Sequence, residues 1–174
     1  NHQLHLARDR FGEKPLYYSV ANGKFAYSSN TTALAWLPWG DRDIDAGSVD
    51  RYLALHYVPG RRTMFKGIQR VLPGEHISIS LDSLQIIHDR YYRPAMGPIE
   101  PVDTGTLVGR IEAAVTSRLV ADVPVGVFLS GGIDSSIVAA LAAKHHPAID
   151  TFSMGFKDAR YDESPHAQAV ARAI

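Results

Sequence analysis

Residues 125–136 decide the fold of the carboxyl-terminal part of this chain, and they read VGVFLSGGIDSS. The apolar run that ends at Leu129 is typical of a buried strand. The serine and two glycines at 130–132 predict a tight turn, and a helix is expected to begin near Asp134. The predicted order for this stretch is therefore strand, turn and helix.

The turn has the composition of an anion-binding loop. Gly131 and Gly132 have no Cβ, so the backbone can take unusual angles and approach a ligand closely. Successive amide N–H groups can then point into one concavity, to which the following helix adds its positive amino-terminal end. Ser130, Ser135 and Ser136 supply hydroxyl donors. We expect a cradle for pyrophosphate rather than a plain strand-to-helix turn.

Asp134 is the residue that does not fit a simple anion site, because a carboxylate repels phosphates. The conflict disappears if Asp134 holds Mg²⁺, which commonly binds one or two carboxylates together with substrate phosphates. The loop also lacks the lysine of a Walker A motif, so it is not the usual loop of γ-phosphate transfer.

The segments around the loop alternate between helix and strand. Proline and glycine enrichment at 94–105 is typical of a linker. After it we predict helices over 107–119 and 135–143, a strand over 151–154, and a last helix from Asp162 or Ser164 with Pro165 in its first turn. Asp162 and Glu163 are interpreted as an acidic pair at the amino end of this last helix. Strand, helix, strand and helix in this order predict a parallel sheet covered by helices.

The amino-terminal part has an α+β pattern. Short strands are predicted near 4–7, 16–18, 25–27, 77–81 and 86–87, with helices over 31–37 and 45–56. Ile77, Ile79 and Leu81 alternate with polar residues, which is typical of a half-buried strand. Asn22-Gly23 indicates a hairpin turn, and Asp45 is predicted to cap the second helix. Residues 8–10 are interpreted as a salt-bridged turn, and Arg61 and Arg62 as part of a solvated loop.

Composition excludes several classes of function. The 174 residues include 18 Lys+Arg and 18 Asp+Glu, so the formal net charge is zero. We therefore expect no nucleic-acid partner and no membrane partner, since both favour a basic surface. The chain has no cysteine, which excludes disulfides and thiolate metal sites. A cytoplasmic location is expected.

Several motifs together resemble a known family. SGGIDS at 130–135 resembles the signature of ATP pyrophosphatases, and SRLVADVPVGVFL at 117–129 resembles class B, glutamine-hydrolysing asparagine synthetases in particular. TFSMGF at 151–156 and YDE at 161–163 fit the same family. Upstream, its glutaminase domain is similar to ARDRFGEKPLYY at 7–18, FAYSS at 25–29 and LPG at 72–74. The resemblance covers essentially the whole chain.

The resemblance implies an α/β protein with an α+β amino-terminal part. Residues 1–93 are then the end of an N-terminal-nucleophile glutaminase αββα sandwich, 94–105 a linker, and 106–174 the start of a doubly wound parallel-sheet ATP-pyrophosphatase domain. The implied parent enzyme adenylates the aspartate β-carboxylate with MgATP, releases pyrophosphate, and amidates with glutamine-derived ammonia. The implied cofactors are ATP and Mg²⁺, the other substrates are aspartate and glutamine or ammonia, and a homodimer of the parent enzyme is left open.

The family's site residues carry over by motif matching. Leu129 and Met154, at the ends of adjacent strands, are implied to contact the adenine nucleotide, which agrees with ligand binding at the carboxyl ends of parallel strands. Asp134 is the implied Mg²⁺ ligand. The implied pyrophosphate-binding residues are Ser130, Gly131, Gly132, Ser135 and Ser136.

The family's glutaminase nucleophile is an N-terminal cysteine, and this chain has no cysteine. The chain is therefore interpreted as a fragment that lacks glutaminase activity and synthetase activity of its own. Two alternatives stay open. One is a related ATP-dependent enzyme acting on another carboxylate, such as a β-lactam synthetase or a peptide-cyclising enzyme. The other is a catalytically silent structural module.

Overall fold

A computed structural model describes residues 2–97 and 101–174. The chain forms two compact units, Asn1–Gly97 (unit 1) and Pro98–Ile174 (unit 2), and each unit is described by itself. Residues 98–100, in the middle of the predicted linker, lie outside the described residues. Among the described residues, no helix combines the length and the apolar character that crossing a bilayer requires.

Unit 1 combines short strands with two helices. In chain order they are β1 (Gln3–Ala7), β2 (Tyr17–Ala21), β3 (Lys24–Ser28), α1 (Thr31–Ala35), α2 (Ala46–Leu55), β4 (Ile68–Arg70), β5 (Glu75–Ser80) and β6 (Ile86–Arg90). The strands form two antiparallel sheets, in the orders β1-β5-β6 and β3-β2-β4. This architecture confirms the predicted α+β character.

The first sheet buries one face because its central strand alternates. Ile77 and Ile79 are fully buried, and Leu6 of β1 pairs with Ile77 and joins the same core. The residues between them on β5 are partly exposed. Leu81, which was predicted to continue the alternation, is 54% exposed, because β5 ends at Ser80 and the chain turns toward β6.

The hairpin of β2 and β3 turns at Asn22-Gly23, as predicted. Both residues have left-handed backbone angles, with φ of 52° and 66°, as a two-residue type I′ turn requires. The turn sets a register in which Ala21 pairs with Lys24. Nothing lies within 4 Å of a Cβ built on Gly23, so the glycine is required by its backbone angle alone.

The helix ends in unit 1 differ from the prediction. α1 ends at Ala35 rather than at residue 37, and it is capped by Asn30, whose Oδ1 accepts the Thr32 N–H at 2.8 Å. α2 begins after Asp45, but the Asp45 carboxylate makes no capping bond to a backbone amide. It accepts the buried Ser48 hydroxyl at 2.8 Å instead. Asp45 is therefore the N-cap residue, as predicted, but the expected side-chain bond to a backbone amide is not formed.

Two charged segments are more ordered than the sequence indicated. The Arg8 guanidinium donates to the carbonyl oxygens of Gly12, Lys14 and Val71 at 2.7 to 2.9 Å. Residues 8–10 thus form a turn held by backbone acceptors, and the salt-bridged interpretation is wrong. The solvated-loop interpretation is confirmed for Arg62, whose side chain is 64% exposed. It is wrong for Arg61, which donates to both carboxylate oxygens of Glu75, a residue that is 3% exposed.

Unit 2 alternates helices and strands. It contains α3 (Thr104–Thr116), β7 (Gly126–Phe128), α4 (Ile133–His145), β8 (Asp150–Phe152) and α5 (Ser164–Ala173). β7 and β8 pair in parallel, with Val127 opposite Thr151, and α4 provides the crossover that parallel pairing needs. The predicted parallel strands with helices are confirmed. α3 begins at Thr104, capped by Asp103, which lies within the range predicted as a linker.

Burial along the strand at 125–129 is lower than predicted. Leu129 is 2% exposed and packs with Ala139 of α4 and Ala167 of α5. Phe128, by contrast, is 86% exposed. The prediction of a wholly buried strand is therefore wrong, because β7 belongs to a two-stranded sheet in which only one side is covered by described residues.

Candidate functional site

The loop between β7 and α4 gathers the predicted serines around one tight turn. Ser130 Oγ lies 3.0 Å from Ser135 Oγ. The hydroxyls of Ser135 and Ser136 donate to the Gly132 carbonyl oxygen at 3.1 and 2.7 Å. Three hydroxyl groups are therefore held at the amino end of α4.

The two glycines of the turn serve different purposes. Gly131 has a φ of +84°, and a Cβ there would lie 2.6 Å from the backbone carbon of His166 and 2.7 Å from the amide nitrogen of Ala167. Gly131 is therefore required by its backbone angle and by close contact with α5. Gly132 has a φ of −72°, and an added Cβ would meet only Ser130 Oγ, at 3.5 Å. Gly132 is therefore the position at which the missing side chain leaves open space.

The amino end of α4 presents free amides. Gly132 is the N-cap and supplies no side-chain acceptor. The first amides of a helix have no acceptor within the helix, so they are available to an anion. Asp134 lies exposed in this first turn, and its side chain has no hydrogen-bond or ion-pair partner among the described residues. A carboxylate next to free amides suits a cation that is also bound to phosphate.

A cleft of about 300 Å³ opens at the carboxyl ends of β7 and β8. Four predicted site residues line it, namely Leu129, Ser130, Ser135 and Met154. The other four do not line the cleft but belong to the adjoining turn and first helical turn: Gly131, Gly132, Asp134 and Ser136. The structure thus brings the predicted residues to one end of the sheet.

Leu129 and Met154 contribute to the cleft in different ways. The Leu129 N–H donates to the Phe152 carbonyl oxygen at 2.8 Å, and its own carbonyl accepts the Ser153 hydroxyl at 2.7 Å. With its side chain buried as well, Leu129 forms part of the rigid floor. Met154 is 75% exposed, so its side chain is available to a ligand.

Sequence reasoning missed the aromatic wall of the cleft. Phe128, Phe152 and Phe156 all line it, and each is more than half exposed. A signal was present, because these residues lie at or just after the predicted strand ends. Parallel strands place their carboxyl ends at one edge of a sheet, which is where ligands bind.

Asp162 and Glu163 were interpreted together as a helix-terminal acidic pair, but they differ. Asp162 Oδ1 accepts the Ser164 N–H at 3.1 Å and the Ser164 hydroxyl at 2.6 Å. The hydroxyl, followed by the Ser164 amide, holds the pKa of Asp162 below its ordinary value. Glu163 is the N-cap residue of α5 but makes no side-chain capping bond, and it lines the cleft.

The arrangement fits a nucleotide carrying phosphates. Free helix amides and hydroxyls suit the phosphates, and an apolar wall suits a planar base, since ligand pockets combine apolar lining with a few placed polar groups. Among the described residues, no group of three or more His, Cys, Asp or Glu side chains is placed to hold a metal ion. A divalent cation at this loop would depend on Asp134 and on phosphate oxygens.

Comparison with known proteins matches both halves of the chain. Residues 1–92 match the family model of the glutamine amidotransferase domain, and residues 106–174 match that of asparagine synthase. The chain is 34% identical over 178 residues to asparagine synthetase (glutamine-hydrolyzing) 1 of Bacillus subtilis (strain 168), covering 100% of the chain and 28% of that relative. It is 36% identical over 181 residues to a putative asparagine synthetase (glutamine-hydrolyzing) of Mycobacterium bovis, covering 99% of the chain and 28% of that relative. A Penicillium rubens protein named amidase chyE is 37% identical over 151 residues, covering 82% of the chain and 22% of that relative.

The two family matches define the class of the chain, which is a glutamine amidotransferase domain joined to an asparagine synthase domain. The relatives that match along the whole chain make the assignment narrower. The chain belongs to the family of glutamine-hydrolysing asparagine synthetases, as the motif resemblance predicted. It spans 28% of the length of the bacterial relatives described above.

Proposed function

We propose that the parent protein of this chain is an ATP-dependent ligase that makes asparagine from aspartate with ammonia taken from glutamine. The observation that carries the proposal is the loop at 130–132. Through this loop, the amino end of α4 with its free amides lies next to a cleft at the carboxyl ends of two parallel strands. Membership of the asparagine synthetase family supports the same activity.

The domain arrangement is proposed on the same basis. Residues 1–93 are assigned to the end of an N-terminal-nucleophile glutaminase sandwich, 94–105 to a linker and 106–174 to the start of a doubly wound ATP-pyrophosphatase domain. The two antiparallel sheets of unit 1 and the parallel pair of unit 2 support this division.

The chemistry follows from the poor reactivity of a carboxylate toward ammonia. An oxygen of the aspartate β-carboxylate attacks the α-phosphorus of ATP, the bond to the bridging oxygen of the β-phosphate breaks, and pyrophosphate leaves. Ammonia then attacks the activated carbonyl carbon and loses a proton, and AMP leaves with the electron pair of the broken acyl bond. The protein contributes orientation and neutralisation of phosphate charge.

The loop residues have separate proposed roles in this reaction. The free amides at the start of α4 and the Ser130 hydroxyl bind the pyrophosphate portion, joined by the hydroxyls of Ser135 and Ser136 when these rotate away from the Gly132 carbonyl oxygen. Leu129 and Met154 contact the nucleoside, the former as part of the cleft floor. Asp134 holds Mg²⁺, which when bound neutralises charge on the phosphate oxygens. An unpartnered Asp134 carboxylate among free amides supports this role.

The test is pyrophosphate release by the full-length parent protein with MgATP, with and without aspartate. The Asp134→Asn variant keeps the size of the side chain and removes its charge. We expect kcat/KM for MgATP to fall about 100-fold, as for the loss of one electrostatic contact to developing charge. The matched control is Asp150→Asn, because Asp150 is an exposed carboxylate at the opposite end of β8. It should retain the wild-type rate.

Three outcomes separate the candidate functions. Aspartate-dependent release that Asp134→Asn lowers about 100-fold supports an asparagine-forming ligase. Release that requires a different carboxylate would move the function to another acceptor. A full-length protein that binds no MgATP would leave a structural module and overturn the proposal.

A further inference from the structure

We propose that Asp162 is a positioning residue for the nucleotide site, because it fixes the first turn of α5, against which the loop at 130–132 and the apolar wall of the cleft both pack. This inference rests on the proposed function, since it concerns the same MgATP site. It assigns a task to the segment 153–163, which connects β8 to α5.

The first step is the contact between α5 and the phosphate-binding loop. The place where Gly131 would carry a Cβ is occupied by the backbone of His166 and Ala167, at 2.6 to 2.7 Å. Ala167 is 2% exposed and shares a core cluster with Leu129. Backbone against backbone leaves no flexible side chain to absorb a shift. A movement of the first turn of α5 must therefore move Gly131.

The second step is the contact between α5 and the opposite wall. A Cβ on Gly155 would lie 3.2 Å from Ser164 Oγ and 3.9 Å from Asp162 Oδ1. The Phe156 N–H also points to Asp162 Oδ1, at 3.4 Å. Gly155 follows Met154 directly, and both Met154 and Phe156 line the cleft. The apolar wall of the cleft, which includes Met154 and Phe156, therefore packs against the same end of α5.

The third step is the bond that holds this end in place. One oxygen of Asp162 accepts the amide and the hydroxyl of Ser164, at 3.1 and 2.6 Å. Glu163, the N-cap residue of α5, makes no side-chain capping bond, so among the described residues the side chain that accepts the Ser164 amide is that of Asp162. Hydrogen bonds to an ionised acceptor are about twice as strong as neutral ones. Asp162 thus fixes the position of the loop at 130–132 relative to the apolar wall that includes Met154 and Phe156.

The prediction is a selective loss of nucleotide affinity. In the full-length parent, Asp162→Ala should raise the KM for MgATP about tenfold, which is the scale of a lost charge-assisted bond. The KM for aspartate should stay within about twofold and kcat within about threefold. Asp162→Asn should restore most of the affinity, because its amide oxygen still accepts from Ser164.

Asp158→Ala is the matched control. Asp158 lies in the same connection and is exposed, and among the described residues its side chain bonds only to Arg160. It should leave the KM for MgATP unchanged. If Asp162→Ala does not fold, Ser164→Ala is used instead, because it removes only the 2.6 Å bond. Direct binding of a non-hydrolysable ATP analogue with Mg²⁺, measured by calorimetry, should follow the same order as the KM values.

The outcomes also distinguish this inference from the proposed function. A wild-type parent that ignores MgATP refutes the proposed function and removes the basis of this inference. A wild-type parent that uses MgATP, with Asp162→Ala equal to Asp158→Ala, overturns only the positioning role. Equal losses for MgATP and aspartate, or an Asp162→Asn variant as weak as the alanine, would also overturn it.

Discussion

Gly131 and Gly132, the two glycines of the loop at 130–132, allow a test in which one substitution should affect both stability and MgATP binding and the other should affect binding alone. Gly131→Ala places a methyl group where the His166 and Ala167 backbone lies at 2.6 to 2.7 Å, on a residue with φ of +84°. Gly132→Ala adds the same methyl group at a φ of −72°, where its nearest neighbour is Ser130 Oγ at 3.5 Å. The two variants are adjacent and chemically identical.

The magnitudes follow from these distances and angles. A left-handed angle costs an alanine about 1–2 kcal/mol. Forcing an extra methyl group into a packed contact costs about 1–3 kcal/mol, so Gly131→Ala should destabilise unit 2 by about 2–5 kcal/mol. Gly132→Ala has no such contact. Its loss of N-cap preference, about 0.5–1 kcal/mol, is offset by the lower entropy of the unfolded chain, about 0.4–1 kcal/mol.

Hydrogen exchange of the full-length parent, measured by mass spectrometry on peptides covering residues 126–173, reports the opening of this region alone. Exchange through these openings should become about 30-fold to 5,000-fold faster in Gly131→Ala, since about 1.4 kcal/mol is tenfold. It should stay within about threefold of wild type in Gly132→Ala. MgATP affinity should fall in both variants. In Gly132→Ala it falls because the added methyl group lies beside Ser130, which lines the cleft.

Equal exchange rates in the two variants would refute the close packing of Gly131 on α5. Wild-type MgATP affinity in Gly132→Ala would refute the use of this turn as a phosphate cradle. The two conclusions are independent, because one rests on stability and the other on binding.

Three further changes test unit 1, each by urea unfolding of the parent. Glu75→Ala leaves the Arg61 guanidinium, which is 28% exposed, without its partner, and should lower the free energy of unfolding by about 2–3 kcal/mol. Lys66→Ala, which removes one member of an exposed ion pair, should lower it by less than about 0.5 kcal/mol. Burial alone would raise the pKa of Glu75, but the Arg61 and Leu72 donors hold this pKa below its ordinary value. The stabilisation by the ionised carboxylate is therefore fully present above the ordinary pKa of a glutamate and should vanish as the pH falls through the lowered pKa. Arg8→Lys keeps the charge but loses the three-carbonyl geometry, and should cost about 2 kcal/mol. Gly23→Ala, with φ of 66° and no crowding, should cost about 1–2 kcal/mol.

Each of these changes has an outcome that would contradict its reasoning. A loss for Glu75→Ala that does not shrink in acid would mean that packing, and not the ion pair, sets its effect. An Arg8→Lys variant as stable as wild type would show that the carbonyl contacts contribute little. A cost for Gly23→Ala well above 2 kcal/mol would require a steric clash that the hairpin does not contain.

Local features were the ones that the sequence predicted well. The Asn22-Gly23 turn, the alternation of Ile77 and Ile79 and the strand–turn–helix around residue 131 each depend on a few neighbouring residues. Steric rules for φ and the two-residue period of a strand act at that range. A single sequence is therefore enough to place them.

Features that depend on distant partners were predicted poorly. Arg61 was expected in solvent, but Glu75, fourteen positions away, is buried beside it. Phe128 was expected inside, but burial depends on which layer covers a strand, and no local pattern specifies that layer.

The phosphate-binding loop shows why a correct motif prediction still leaves its physics open. The sequence indicated glycines that admit a ligand, and this reason applies to Gly132 alone. At Gly131 the neighbour is α5, whose first turn follows the loop by more than thirty positions and is held by Asp162. The geometry of the loop therefore depends on a helix outside the motif. A protein that kept the residues 130–136 unchanged but lost this helix contact would retain the signature without the arrangement of amides that gives the signature its meaning.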